Sequence, residues 1–191
     1  MRNITLLFLT GVIAASWWYA YFFYHEHEAD IAIAVAEVLH DLALPFYITE
    51  MSLRTPVTEL PLPVYGVSLS DVEDSWGVAR SEGRSHEGVD IFASQGTPVF
   101  SATDGYVVIT DFGYRGGRNV IVLGPGRVHY YYAHFIRIAD GITEGTKVTQ
   151  DTVLGYVGAT GNAVGTPPHL HFGVYPKTWE PVNPYGMLTD R

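Results

Sequence analysis

The sequence predicts a mainly β domain of antiparallel strands, preceded by an N-terminal membrane helix and a short helical and linker segment. From residue 66 onward, short runs rich in Val, Ile and Tyr alternate with glycine and aspartate turns, a pattern typical of strands joined by hairpins. Residues 4–24 contain no charge, and a helix of that length spans about 30 Å, the hydrocarbon thickness of a bilayer. We therefore divide the chain into 1–25 (membrane anchor or signal peptide), 26–65 (helical stalk and linker) and 66–191 (folded domain).

The candidate strands of the folded domain are close together in sequence, which favours antiparallel pairing over helix-linked parallel strands. Between them lie turns rich in Gly and Asp, residues that tolerate positive φ. The predicted strands are 98–102, 105–111, 119–123, 128–133, 153–157 and 169–175.

The charges around residues 4–24 predict an orientation for the membrane helix. Arg2 precedes the apolar segment and Glu26, Glu28 and Asp30 follow it, so the amino terminus is expected in the cytoplasm and the folded domain on the far side. An aromatic cluster at 17–24 lies at the outer end, where an interfacial belt is expected. A cleaved signal peptide is the alternative, and small residues near its centre offer a processing site.

A second helix is expected over residues 30–44, where apolar residues recur at mostly helical spacing and end at Pro45. This segment either continues the membrane helix outward or packs on a membrane or cell-wall partner protein. The prolines that follow, among them Pro56, Pro61 and Pro63, predict a stiff linker that holds the folded domain away from the membrane.

Composition excludes several classes of function. The chain has no cysteine, so thiol nucleophiles, thiolate metal sites and disulfides are not available. Of its net charge of -9, residues 1–75 carry ten acidic and two basic side chains, and residues 76–191 carry ten acidic and nine basic. A nearly neutral domain on an acidic stalk does not have the basic surface that nucleic-acid binding needs.

Histidines in three short motifs indicate a metal site. His169 and His171 alternate within a strand and therefore share one face. His86 and Asp90 are four residues apart and can converge either across a helical turn or along an extended segment. Two imidazoles, one carboxylate and an open position form the ligand set of a catalytic zinc site. This set leaves further histidines, including His134, for other roles.

Residues 80–175 resemble the lysostaphin/LytM-type zinc endopeptidases. That family combines an H-x-x-x-D motif, a central aromatic-Ala-His motif and a terminal H-x-H motif. These appear in order as His86-Glu-Gly-Val-Asp90, Tyr132-Ala-His134 and His169-Leu-His171. Three ordered motifs on a glycine-punctuated β background are far more specific than any one of them.

The resemblance implies a lysostaphin/LytM-type, duplicated-hybrid-like β fold in which His86, Asp90 and His171 bind Zn²⁺. His134 and His169 would flank the metal as catalytic residues. The implied activity is hydrolysis of stem or cross-bridge peptides in bacterial peptidoglycan. Together with the membrane helix, it places a single-pass protein in the bacterial cytoplasmic membrane, with its C-terminal domain in the periplasm or cell wall.

The resemblance also implies an alternative function, because some relatives have lost their metal ligands and act as silent regulators that bind the wall and activate other hydrolases.

The sequence departs from the family pattern at two positions. The family commonly has glycine before the proline of its last motif and glutamate after the phenylalanine, where this chain has Pro167 and Gly173. Neither change removes a ligand. Outside the motifs, we expect His129 to be structural and Arg84 to be a candidate for binding a substrate carboxylate. Three aromatic residues either belong to the core or line a substrate groove, namely Tyr175, Trp179 and Tyr185.

Overall fold

The computed structural model describes residues 16 and 18 and the ranges 27–80 and 83–191. It divides the chain into two units, Met1–Leu42 and Ala43–Arg191. In the first unit, most of the described residues belong to the beginning of helix α1 (Glu28–Ser52).

Apart from residues 16 and 18, the membrane helix predicted over 4–24 lies outside the described residues. Among the residues that are described, none of the helices has both the length and the apolar character needed to cross a bilayer.

Helix α1 continues past Pro45, where the sequence predicted its end. Proline lacks an N–H and crowds the preceding turn, so a helix interior is a costly place for it. The last two turns of α1 nevertheless contact the folded domain. Tyr47 stacks on Tyr106 with ring centroids 4.1 Å apart, and Met51 is buried in the same cluster. These contacts offset the cost of the proline and hold the helix together up to Ser52.

Shortening Met51 to alanine is expected to lower the free energy of unfolding by about 2–5 kcal/mol, because the side chain is only 1% exposed and its removal leaves a cavity. Leu53 is 84% exposed, and Leu53→Ala should change stability by less than about 0.5 kcal/mol. Urea denaturation of both variants measures the difference. Equal effects would mean that the end of α1 does not pack on the domain in solution.

The folded domain consists of short strands, as the sequence predicted, together with several single turns of 3₁₀ helix. Each predicted strand is present with closely similar bounds. The strands are β1 (Leu60–Pro61), β2 (Val89–Phe92), β3 (Pro98–Phe100), β4 (Gly105–Gly113), β5 (Gly117–Gly124), β6 (Val128–Phe135), β7 (Arg137–Ile138), β8 (Lys147–Val148), β9 (Val153–Tyr156), β10 (His169–Tyr175) and β11 (Leu188–Thr189).

Two antiparallel sheets form most of the domain. The larger has six strands in the order β2-β10-β6-β5-β4-β8, and the smaller has three in the order β3-β9-β7. Every neighbouring pair in these sheets is antiparallel. A short parallel pair, β1 with β11, joins the chain end to the segment before the large sheet. The mainly antiparallel fold predicted from the sequence is therefore confirmed.

The folded unit begins before the boundary predicted at residue 66. Leu60, Leu62 and Val64 are almost fully buried in the main hydrophobic core, although the sequence assigned them to the linker. Prolines next to each of these residues hid the apolar alternation, and the pairing partner in β11 is more than 120 residues away in the sequence. The remaining domain boundaries stay predictions.

Strand β10 has one face in the hydrophobic core and the other on the opposite side of the large sheet. Leu170 and Phe172 are buried in the core, and because side chains alternate along a strand, His169 and His171 point the other way. Strand β2, which the sequence analysis did not identify, pairs with β10 at the sheet edge. It places Asp90 on the same sheet as the two histidines.

Candidate metal centre

His86 is presented by a β-hairpin that precedes β2. The hairpin is closed by backbone hydrogen bonds from His86 N to Val78 O (2.9 Å) and from Arg80 N to Arg84 O (2.8 Å). The Nδ1–H of His86 donates to the backbone carbonyl of Ser75 at 2.8 Å. This bond fixes the ring and leaves Nε2, the atom with the lone pair, facing the sheet.

Asp90 and His171 are directly opposite each other in the β2–β10 register, so their side chains meet on one face. Asp90 Oδ1 lies 3.1 Å from His171 Nδ1 and 3.1 Å from His86 Nε2. The two imidazole nitrogens are 2.9 Å apart. Because residues 86–90 contain no helical turn and Asp90 lies in β2, the helical alternative does not apply.

These three atoms form a triangle whose size fits a zinc ion. A tetrahedral ion with bonds of about 2.1 Å has ligand atoms roughly 3.4 Å apart, close to the three separations in the triangle. The donors are neutral nitrogen and hard oxygen, which suit Zn²⁺. His86, Asp90 and His171 could therefore hold the ion and leave one coordination position open toward solvent.

The second oxygen of the Asp90 carboxylate is held by an arginine. Arg80 Nη2 donates to Asp90 Oδ2 at 2.5 Å, so Oδ1 alone faces the two imidazoles. Burial raises the pKa of Asp90, but its contacts with the His171 and His86 imidazoles and the bond from Arg80 outweigh burial. The resulting pKa is far below the usual range, and the carboxylate stays ionised for metal binding. Burial also lowers the pKa of His171, which favours the neutral imidazole that binds a metal.

His134 reaches the site through a β-bulge. In the pairing of β5 with β6, Arg118 is opposite Phe135 while Val120 is opposite Tyr132, so β6 contains one extra residue. His134 lies in this bulge with a positive φ of 68°. In a regular strand Ala133 and His134 would face opposite sides, but here both line the same cleft. Re-aiming a side chain in this way is a common use of bulges near active sites.

Both additional histidines are fixed in the same tautomer. His134 Nδ1–H donates to Thr160 O at 2.9 Å, and His169 Nδ1–H donates to Pro167 O at 2.9 Å. Their rings are 5.0 Å apart, and His169 Nε2 lies 3.9 Å from Asp90 Oδ1. Burial, followed by the charges of His169 and His171, lowers the pKa of His134 to about 4, so this imidazole is neutral at neutral pH.

All five side chains selected from the sequence line one cleft of about 510 Å³. Of the three aromatics that were considered for a groove, Tyr175 lines this cleft and Tyr185 packs against the core. Trp179 instead stacks on His129 with ring centroids 4.1 Å apart, which agrees with a structural role for His129.

Three of the other side chains that line the cleft were not identified from the sequence as site residues. Arg80 and Arg115 line it, as does Tyr131, whose ring meets that of His171 edge-on. No sequence signal marked Arg80, because the hairpin that places it opposite Arg84 was not predicted. Because side chains alternate along β6, Tyr131 points to the other side of the strand from its buried neighbours. The sequence alone does not say which side of the strand faces the core, so this alternation could be used only once that side was known.

Gly88 lies where a side chain would displace a ligand. A Cβ at this position would be 2.6 Å from His171 Cε1 and 2.7 Å from the carbonyl oxygen of Phe172, both closer than van der Waals contact. Gly88→Ala is expected to weaken zinc binding by about 10- to 100-fold, the range seen when groups that orient ligands are altered. Gly186 has open space around it, and Gly186→Ala should bind zinc normally in a competition titration. Unchanged affinity in Gly88→Ala would contradict the ligand role of His171.

An ion held on three side chains with one open position, in a cleft that two other imidazoles share, is the arrangement of a metal-dependent hydrolase. Comparison with known proteins agrees. The chain belongs to peptidase family M23, whose model matches residues 84–184, just over half of the chain. The resemblance inferred from the three motifs is thus confirmed.

Individual relatives match the same region. The L-Ala--D-Glu endopeptidase of Bacillus subtilis is 40% identical over 108 residues, which cover 53% of this chain and 33% of the relative. Peptidoglycan DD-endopeptidase ShyA of Vibrio cholerae is 36% identical over 89 residues, covering 46% and 19%. The structure of a zinc-containing peptidase from Vibrio cholerae superposes with a TM-score of 0.55 at 26% identity, covering 69% of this chain and 40% of that one. The chain therefore spans a third or less of the length of these two curated relatives.

Proposed function

We propose that this protein is a zinc-dependent endopeptidase that hydrolyses peptide cross-links of bacterial peptidoglycan. The observation that carries the proposal is the triangle of ligand atoms beside two further imidazoles in one open cleft. The substrate class is supported by the names of two relatives, an L-Ala--D-Glu endopeptidase and a peptidoglycan DD-endopeptidase. The silent-regulator alternative is not favoured, because this chain retains all five side chains that the chemistry needs.

In the proposed mechanism, His86, Asp90 and His171 bind the ion through Nε2, Oδ1 and Nδ1. The chemistry that zinc supplies at such a site is polarisation of the peptide carbonyl and acidification of a water molecule. Two side-chain features support the assignment. The Nδ1–H bond of His86 to Ser75 O orients one ligand, and Arg80 restricts Asp90 to a single free oxygen.

His134 and His169 are proposed as the proton carriers. Each uses Nδ1–H to bond a backbone carbonyl, so each presents Nε2 as an acceptor. The pKa of about 4 keeps His134 neutral at neutral pH, as an acceptor must be. The imidazole that takes the proton from water at Nε2 becomes a donor there, and it can then stabilise charge on the carbonyl oxygen and pass the proton to the leaving amine.

The same proposal includes attachment to the bacterial cytoplasmic membrane through residues 4–24, with the C-terminal domain in the periplasm or cell wall. Its support is the uncharged segment flanked by Arg2 and by acidic residues. Membrane fractionation tests it: an anchored protein resists extraction at high salt, whereas a protein with a cleaved signal peptide is released.

Residues 30–44 are proposed to bind a membrane or wall-associated protein. Large apolar side chains on this part of α1 are exposed, for example Val38 at 58% and Leu42 at 64%, and exposed apolar surface of this kind is typical of contact sites.

The activity is tested by incubating purified sacculi with the full-length protein and profiling the released muropeptides. With zinc present, cross-linked dimers should be converted to shorter or monomeric products. Chelation should abolish the conversion, and added zinc should restore it. A protein that binds zinc but leaves both diaminopimelate-linked and glycine-bridged walls unchanged would contradict the proposed activity.

A further inference from the structure

The hairpin that carries His86 also places two arginines beside the metal centre. Residues 79 and 85 are bridge partners, which puts Arg80 directly opposite Arg84. Side chains directly opposite in an antiparallel pair lie on one face, as do side chains two residues apart. Arg80, Arg84 and His86 therefore share the face that is turned toward the ion.

Arg80 connects this face to the metal ligands. Its guanidinium bonds Asp90 Oδ2, yet its side chain remains 38% exposed and lines the cleft. A guanidinium has five N–H donors in a rigid fork, so one that already contacts a neighbour can still bind a carboxylate. The same reasoning applies to Arg84, which also lines the cleft.

A third arginine comes from a different part of the fold. Arg115 is in the β4–β5 turn and lines the same cleft. Two hydrogen bonds hold this turn against catalytic elements: Asn162 N donates to Arg115 O at 3.0 Å, and His134 N donates to Gly116 O at 2.8 Å. The backbone of Arg115 is thus fixed next to His134, one of the two proposed proton carriers.

The charges of the cleft favour an anion. Among its described lining residues, three arginines stand against two acidic side chains, Glu87 and Asp90. Arg80 and Asp90 form an ion pair, so their charges largely offset each other, and among the described lining residues Arg84 and Arg115 face one acidic side chain, Glu87. A bound divalent ion adds further positive charge. Clefts lined by one sign of charge concentrate ligands of the opposite sign.

We infer that the cleft selects peptides with free carboxylates next to the scissile bond, with Arg84 and Arg115 as the specificity-determining residues. This inference rests on the proposed function. In peptidoglycan the matching substrates are stem peptides, whose D-glutamate and diaminopimelate residues carry carboxylates, and not uncharged glycine bridges. Arg80 acts as a positioning residue for Asp90.

The experiment uses cross-linked stem-peptide dimers with free carboxylates on glutamate and diaminopimelate, and the same dimers with those groups converted to carboxamides. For the full-length zinc-loaded protein, kcat/KM should be about 10- to 100-fold higher for the carboxylate form, the range of a hydrogen bond to a charged group. Arg84→Gln and Arg115→Gln should each reduce this ratio, chiefly by slowing cleavage of the carboxylate form. Arg118, whose guanidinium lies over the Phe112 ring, provides the control: Arg118→Gln should keep the full ratio.

Dissociation constants of the same two dimers are measured in parallel with His169→Ala. Equal cleavage and equal binding of both forms would overturn the carboxylate inference while leaving the endopeptidase activity intact. No cleavage of either form would instead contradict the proposed function. In that case the binding constants still decide the inference: tighter binding of the carboxylate form supports it, and equal binding overturns it. A ratio that Arg84→Gln and Arg115→Gln leave unchanged would remove these residues from substrate selection.

Discussion

His171→Ala is expected to abolish stoichiometric zinc binding and to reduce cleavage of peptidoglycan by roughly a thousand-fold or more. His171 supplies one of the three ligand atoms and lies opposite Asp90 in the β2–β10 register. Metal ions contribute several kcal/mol to charge stabilisation in hydrolysis, and each 1.4 kcal/mol is tenfold in rate. Elemental analysis of the purified protein, together with muropeptide profiles of digested sacculi, measures both losses.

The chain offers a matched control for this substitution. His129 is another histidine of the large sheet, but it stacks on Trp179. His129→Ala should retain about one zinc per chain and most of its activity. Near-ultraviolet circular dichroism of His171→Ala checks that the core around Phe172 is intact. If His171→Ala kept its metal, the ion would have to be bound by other side chains and the proposed centre would be wrong.

Substitution of either neighbouring imidazole should separate metal binding from catalysis. His134→Asn and His169→Ala are each expected to keep zinc but to lower the rate of cleavage by about 10²- to 10⁴-fold, the usual contribution of general acid–base catalysis. Asparagine is chosen at position 134 because it tolerates the positive φ of 68° found there. Zinc titration and steady-state kinetics on one defined peptide give the two quantities separately.

Two outcomes would contradict these roles. Loss of zinc in His169→Ala would make His169 a ligand, and the role of His171 would then need revision. Near-normal rates in His134→Asn would mean that the imidazole in the bulge takes no part in proton transfer. The double variant provides a further check, because residues that act in one proton path lose less together than the sum of their separate effects.

The sequence predicted the strands well because their signals are local. Val, Ile and Tyr runs bounded by glycine turns need no distant partner to be recognised, as in β5 and β10. Strand β2 was missed because Val89–Phe92 has only four residues and a carboxylate in its middle. The end of α1 was placed too early because proline normally stops a helix, and contacts with Tyr106 that override this rule come from a distant part of the chain.

The candidate site was likewise predicted from local signals in part, and in part depends on distant contacts. Residue type and motif order selected His86, Asp90, His134, His169 and His171. Their convergence depends on features without a local signal. The extra residue in β6 is defined only by its pairing with β5, and the bond from Arg80 to Asp90 depends on how the preceding hairpin folds over β2. Tertiary pairing, and not local preference, determines both.

The triangle of ligand atoms joins two segments that are far apart in sequence, since Asp90 and His171 are separated by 81 residues. An ion bound there acts as a removable cross-link between the edge strand β2 and its neighbour β10. Because zinc binds the folded chain, each tenfold rise in free zinc above the dissociation constant adds about 1.4 kcal/mol to stability. Lifetime against proteolysis would then follow the zinc supply, so that metal scarcity lowers the amount of the enzyme as well as its turnover.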